Sequence, residues 1–159
     1  MHKITGGIVL IFLIFSLFSC AGEKDLIPAE ISGLKLEKKL TGDEARAFVD
    51  NLHFQAVAPS ENEIGFYEGG ETPGMLYITH YSTNDTADYY FLKMTEKISP
   101  ENSVFIRGEF MDVDGHNIYR CFGMGQTHFV FAKDRHLIWL SVDTIRGKDI
   151  LSEYLSYLN

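Results

Sequence analysis

The sequence predicts an α+β fold, an antiparallel sheet with helices mainly on one face. Three observations lead there: apolar stripes at helical spacing, four strand-like runs in close succession, and turn-forming pairs between those runs. With 159 residues, 45% of them hydrophobic, the chain has material for one globular core.

Thr41-Gly42-Asp43-Glu44 has the spacing of a capping box, and Ala45, Phe48, Val49 and Leu52 then recur at helical intervals. A first helix ending near His53 follows. Gly65-Phe66-Tyr67 and Met75 to Tyr81 read as strands, separated by Gly69-Gly70 and Pro73-Gly74. Asn84 and Asp85 offer a cap for a second helix, whose stripe is Ala87, Tyr90, Phe91, Met94 and Ile98 and which Pro100 closes. Asn84-Asp85-Thr86 has the letters of a glycosylation acceptor, but here it reads as cap chemistry. Tyr89-Tyr90-Phe91 is expected to pack between helix and sheet.

Four strands come next: Val104 to Asp112, His116 to Gly123, Gln126 to Lys133 and Leu137 to Asp143. Asp114-Gly115 suits a two-residue hairpin, Gly123-Met124-Gly125 a three-residue loop, and Asp134-Arg135 another tight turn. A last helix from Asp149 places Ile150, Leu151, Tyr154, Leu155 and Leu158 on one side. The expected order is α-β-β-α-β-β-β-β-α.

Turn lengths set register, and register sets faces. These loops pair Glu109 with Arg120, Arg120 with His128, and His128 with Ser141. They also pair Met111 with Ile118, Ile118 with Val130, and Val130 with Trp139. One face then holds Phe110, Tyr119, Cys121, Phe129, Phe131, Ile138 and Leu140, suited to the long helices. The other sets an apolar row beside a row of donors and acceptors, which makes Glu109, Arg120, His128 and Trp139 a candidate binding surface. Alternatively, the first helix covers that face.

Upstream, Met1-His2-Lys3 precedes an uncharged apolar run from Ile8 to Phe18, then Ser19-Cys20-Ala21. This is the layout of a secretory signal, and the run is shorter than the ~20 residues of a transmembrane helix. Leu17-Phe18-Ser19-Cys20 resembles the lipobox of bacterial lipoproteins: Leu at minus three, a small Ser at minus one and the Cys itself. Phe18 is bulkier than the motif usually carries at minus two. The resemblance covers residues 1–20 only. It implies cleavage before Cys20, lipid on that cysteine and a place in the bacterial cell envelope. Ala21 resembles the outer-membrane default, with the domain facing the periplasm. Residues 1–19 are thus expected to be a signal peptide, 20–32 a lipidated cysteine and tether, and 33–159 a single α+β domain.

Cleavage would leave 13 basic against 22 acidic residues, a surface that repels nucleic acid and anionic headgroups. Attachment to the membrane then falls to the lipid on Cys20. With Cys20 so used, Cys121 has no disulfide partner and reads as a buried, inert thiol.

The sequence has no GxxxxGK[ST], GxSxG, HExxH or CxxC pattern, so the common phosphate-binding, hydrolase, zinc-peptidase and redox signatures are missing. Asp112-Val113-Asp114-Gly115-His116 starts like a calcium loop but lacks the later ligands, and reads as a solvated hairpin tip. His80, His128 and His136 do not fall at helical metal spacing. No cofactor or metal is expected. The reading is a non-catalytic, lipid-anchored binding or accessory domain whose partner is an envelope protein or a small ligand. Its alternative is an envelope enzyme or metal-dependent protein that uses Glu109, Arg120 and His128.

Overall fold

The computed structural model describes residues 24–53 and 61–159. The signal-like segment and Cys20 lie outside the described residues. In chain order the elements are β1 (Glu30–Ile31), β2 (Leu34–Thr41), α1 (Gly42–His53), β3 (Glu61–Glu68), β4 (Gly74–His80), α2 (Asn84–Lys97), β5 (Ile106–Val113), β6 (His116–Gly123), β7 (Gln126–Lys133), β8 (His136–Asp143) and α3 (Gly147–Leu158). All eight strands join one antiparallel sheet, in the order β1-β2-β3-β4-β8-β7-β6-β5. Among the described residues, no helix is long and apolar enough to cross a membrane.

The last four strands lie within two residues of their expected ends, because each is closed by turn chemistry. Asp114 and Gly115 take φ of 52° and 79°, the left-handed pair of a type I′ hairpin. The cap of α2 moves by one residue: the Thr83 side chain, not Asn84, accepts the Thr86 N–H at 3.2 Å. Within Tyr89-Tyr90-Phe91 only Phe91 is buried, and both tyrosines are exposed.

The β6–β7 register differs from expectation by one residue. Met124 and Gly125 take φ of 52° and 78°, so they form the whole loop and Gly123 pairs with Gln126. The expected three-residue loop would have paired Phe122 with Gln126. A slip of one residue sends every side chain of β5 and β6 to the other face relative to β7 and β8. Ile118 therefore faces Phe131, and Arg120 faces Phe129. Tyr119 and Cys121 join Val130 and His128 on the opposite face.

Two apolar layers result. Phe129, Phe131, Ile138 and Leu140 pack with Ile150, Leu151, Tyr154 and Leu155 of α3. On the other side Val130, Tyr119 and Cys121 pack with Ala87 and Phe91 of α2, and Ile64 packs with Ala45 of α1. Cross-strand pairing carries Tyr77 to Trp139 and Ile64 to Tyr77, so α1 and α2 share this face. The expected second face is split by the register difference: Val130, His128, Trp139 and Ser141 lie on the side that α1 and α2 cover, whereas Met111 and Ile118 lie on the α3 side. Cys121 is buried as expected, and burial pushes its thiol up to about 11.

The tether is also corrected. Ile27 and Ile31, expected in a linker, are 3% and 2% exposed and belong to the α3-side core. Tyr67 donates its hydroxyl to the Pro28 carbonyl at 2.8 Å, Tyr154 to Leu26 at 3.0 Å and Tyr157 to Asp25 at 2.6 Å. Gly65 makes room for this strap, since a Cβ there would come within 2.8 Å of Ile27. Strand β2 was not anticipated, because Lys35-Leu36-Glu37-Lys38-Lys39 reads as a charged segment and a register shift between Leu36 and Lys38 breaks its alternation.

An ionic cluster pins the strap to the sheet. Lys39 bridges Asp25 at 2.9 Å and Glu63 at 2.6 Å, and the other Glu63 oxygen lies 3.1 Å from His80 Nε2. The nearby His80 ring and the Lys39 ammonium, against partial burial, hold the Glu63 carboxyl at about 2, below its ordinary 4.5. A depressed carboxylate adds stability that is complete above its unfolded value and is lost as pH falls toward the folded one. Glu63→Gln should therefore lower stability at neutral pH, and its unfolding curve should converge with the parent's as pH falls from 4.5 toward 2. Parallel curves across that range, in urea unfolding, would exclude this role.

Candidate functional site

The sheet has two ends. At the proximal end lie the Asp134-Arg135 turn, the end of α3 and the start of the strap: Lys24, Lys133, Asp134, His136 and Leu158 line a depression of about 190 Å³. At the distal end lie the α2–β5 loop, the β6–β7 turn and the β8–α3 loop. That end carries the candidate site.

Each of those three distal loops holds a large apolar side chain in solvent: Val104 is 76%, Met124 74% and Ile145 82% exposed. Single exposed apolar residues are ordinary, but three on loops at one end of the sheet set an apolar rim there. Met124 is the most telling. It occupies a left-handed turn position, φ 52°, that Asn, Asp or Gly fills at lower cost. Strain and exposed apolar area coincide there, and neither helps the fold.

The tips are displayed by built loops. Asp143 Oδ1 accepts the Ile145 and Arg146 N–H groups at 2.8 and 3.1 Å, a local turn that projects Ile145 outward. Ser103 Oγ donates to the Ser99 carbonyl at 3.1 Å and accepts the Phe105 N–H at 3.2 Å, which holds Val104 between them. Phe105 folds inward as a plug, its ring 4.9 Å from that of His128 and 5.6 Å from Trp139. A Cβ on Gly123 would come within 2.6 Å of the Phe105 ring, so glycine is required beside the Met124 turn.

Beneath the turn lies a buried polar knot. His128 Nε2 is 2.9 Å from the Gly123 carbonyl, which can only accept, so Nε2 carries the hydrogen and Nδ1 is the acceptor. Ser141 Oγ lies 2.7 Å from Nδ1, and Trp139 Nε1 donates to Nδ1 at 3.1 Å and to Ser141 Oγ at 3.2 Å. Burial lowers the His128 pKa, opposed by its bond to Gly123, and keeps the ring neutral. The knot braces the carbonyl from which the Met124 turn springs.

A serine 2.7 Å from a histidine is chemically a nucleophile and its base. Here, however, the second ring nitrogen faces a backbone carbonyl rather than a carboxylate. Both side chains are buried, His128 at 1% and Ser141 at 2% exposure, with the Phe105 ring against His128. The arrangement orders a core.

Of the residues singled out from the sequence, the structure brings together two separate pairs. Glu109 and Arg120 form an ion pair on the α3 side, with Arg120 also over the Phe122 ring at 5.3 Å. His128 and Trp139 lie on the α1 and α2 side, Trp139 half-buried rather than open. The single surface expected from these four is corrected by the one-residue register difference, and the enzyme alternative built on Glu109, Arg120 and His128 loses its geometry with it. Among the described residues, no three His, Cys, Asp or Glu side chains gather where they could hold a metal. The Asp112 to His116 segment is a hairpin tip, with Gly115 N–H donating to Asp112 at 3.3 Å.

Val104, Met124 and Ile145 were missed. One signal was legible: an apolar residue between two glycines, where a turn favours a polar one.

No protein-family model, curated protein or solved structure matches this chain.

Proposed function

We propose that the chain is a lipid-anchored protein of the bacterial cell envelope, with a non-catalytic domain that binds an envelope protein through the distal apolar rim. The rim carries this reading: Met124 is held exposed in a strained turn, at a cost to the fold that binding would offset. Support for the anchor is the lipobox-like Leu17-Phe18-Ser19-Cys20, and localisation at the outer membrane, facing the periplasm, follows from Ala21 as an expectation. We read residues 24–159 as one folding unit, because all eight strands share a sheet.

Two variants test the parts separately. Cys20→Ser should accumulate as an unprocessed precursor without fatty acid. Incorporation of labelled fatty acid into that variant would overturn the anchor. Met124→Asn relieves the turn and should raise stability by up to ~1 kcal/mol. It should also abolish the discrete adduct formed in cells by a photocrosslinker at Ile145. Undiminished adduct in the Met124→Asn background would overturn the rim.

A further inference from the structure

Resting on the proposed lipidation of Cys20, we infer that the proximal end of the sheet sits on the anchoring bilayer and that the rim points away from it. The strap is the reason. Lys24 is not the free end of a loose linker: its ammonium donates to the Tyr157 carbonyl and lies 4.4 Å from the centre of the Tyr157 ring. The strap is fixed to the fold from there onward, through three tyrosine hydroxyls and the Lys39 bridge.

Only four Cα-to-Cα steps separate Cys20 from Lys24. At ~3.5 Å each, the lipidated residue stays within about 14 Å of Lys24 however those residues are arranged. Lys24 lines the same depression as Lys133, Asp134 and His136, so this reach is measured from the proximal end. Lys133 pairs with His136 at that end and Gln126 with Asp143 at the other, seven steps along the strands. At ~3.3 Å per step the two ends stand about 23 Å apart. An upright domain keeps Val104, Met124 and Ile145 beyond the headgroups.

Lys24 and Lys133 line the proximal depression together with Asp134, and their ammonium groups are engaged by the Tyr157 carbonyl and Asn159, so the short tether rather than charge sets this orientation. The proximal end is thus a lipid-facing surface, and the partner of the rim is approached from the aqueous side.

The test uses the full chain, purified with its lipid and reconstituted in phosphatidylethanolamine and phosphatidylglycerol vesicles that carry an acceptor-labelled lipid. Asp134→Cys and Met124→Cys each receive a short-range donor fluorophore. Both positions are left-handed turn residues, and native Cys121 is fully buried, so labelling is selective. Energy transfer to the lipid should be at least about twofold higher from residue 134, given ends about 23 Å apart. Equal transfer, or stronger transfer from 124, overturns the orientation. Intact mass reports lipidation independently. If the lipid is absent, the anchor reading fails, and a chain attached at position 20 through a hexahistidine tag to nickel-chelating lipid still tests the orientation.

Discussion

A chain that starts at Gly33 is expected to lose cooperative folding, whereas one that starts at Lys24 should keep it. Removing the strap deletes Ile27 and Ile31 from the α3-side core, and each such large-to-nothing loss costs about 2–5 kcal/mol. It also strips acceptors from the hydroxyls of Tyr67 and Tyr154, both buried. Unpaired buried hydroxyls cost about 1–3 kcal/mol each. Set against a typical net stability of about 5–15 kcal/mol, the sum consumes most of the margin. Gly65→Ala should reproduce part of the effect in the full chain, because its Cβ would displace Ile27. Urea unfolding and amide dispersion decide the matter. A Gly33 start within ~1 kcal/mol of the Lys24 start would show that the strap contributes little.

The second large effect concerns His128. Replacement by Ala removes the acceptor of Ser141 and Trp139, removes the donor to Gly123 and leaves a hole beneath Phe105. A loss of about 2–4 kcal/mol is expected, in the range for breaking a buried hydrogen-bond network. Acid dependence gives an independent readout. Burial holds the folded His128 pKa below its ordinary 6.5, so the unfolded chain binds its proton first. The His128 contribution is therefore complete above pH 6.5 and declines as pH falls below it, until the folded ring also protonates. His128→Ala should remove that part of the acid limb while leaving the part owed to Glu63. Hydrogen exchange at Gly123 and Gln126, the pair that closes the Met124 turn, should speed up in the same variant. A variant as stable as its parent, with the same slope between pH 6.5 and 5, would show that the knot is dispensable.

What the sequence determined by itself is local. Alternation and turn pairs placed β5 to β8, helical spacing placed α1 to α3, and an apolar run inside a strand marked Cys121 as buried. These signals act over a few residues, so they survive without knowledge of the fold. Three matters were decided only by tertiary structure. Gly123-Met124-Gly125 admits a two- or a three-residue loop, and the choice decides whether Ile118, or instead Tyr119 and Cys121, joins Phe129 and Phe131 under α3, which only packing against the helices settles. The strap from Lys24 to Ile31 looks like a linker because its two isoleucines are sparse, and only the groove beside α3 makes them core. The pairing of β4 with β8 joins segments far apart in the chain, and no local pattern announces it. That pairing sets which loops share an end of the sheet. The distal rim therefore exists only in the folded chain: Val104, Met124 and Ile145 are unremarkable one by one, and antiparallel topology brings their three loops together.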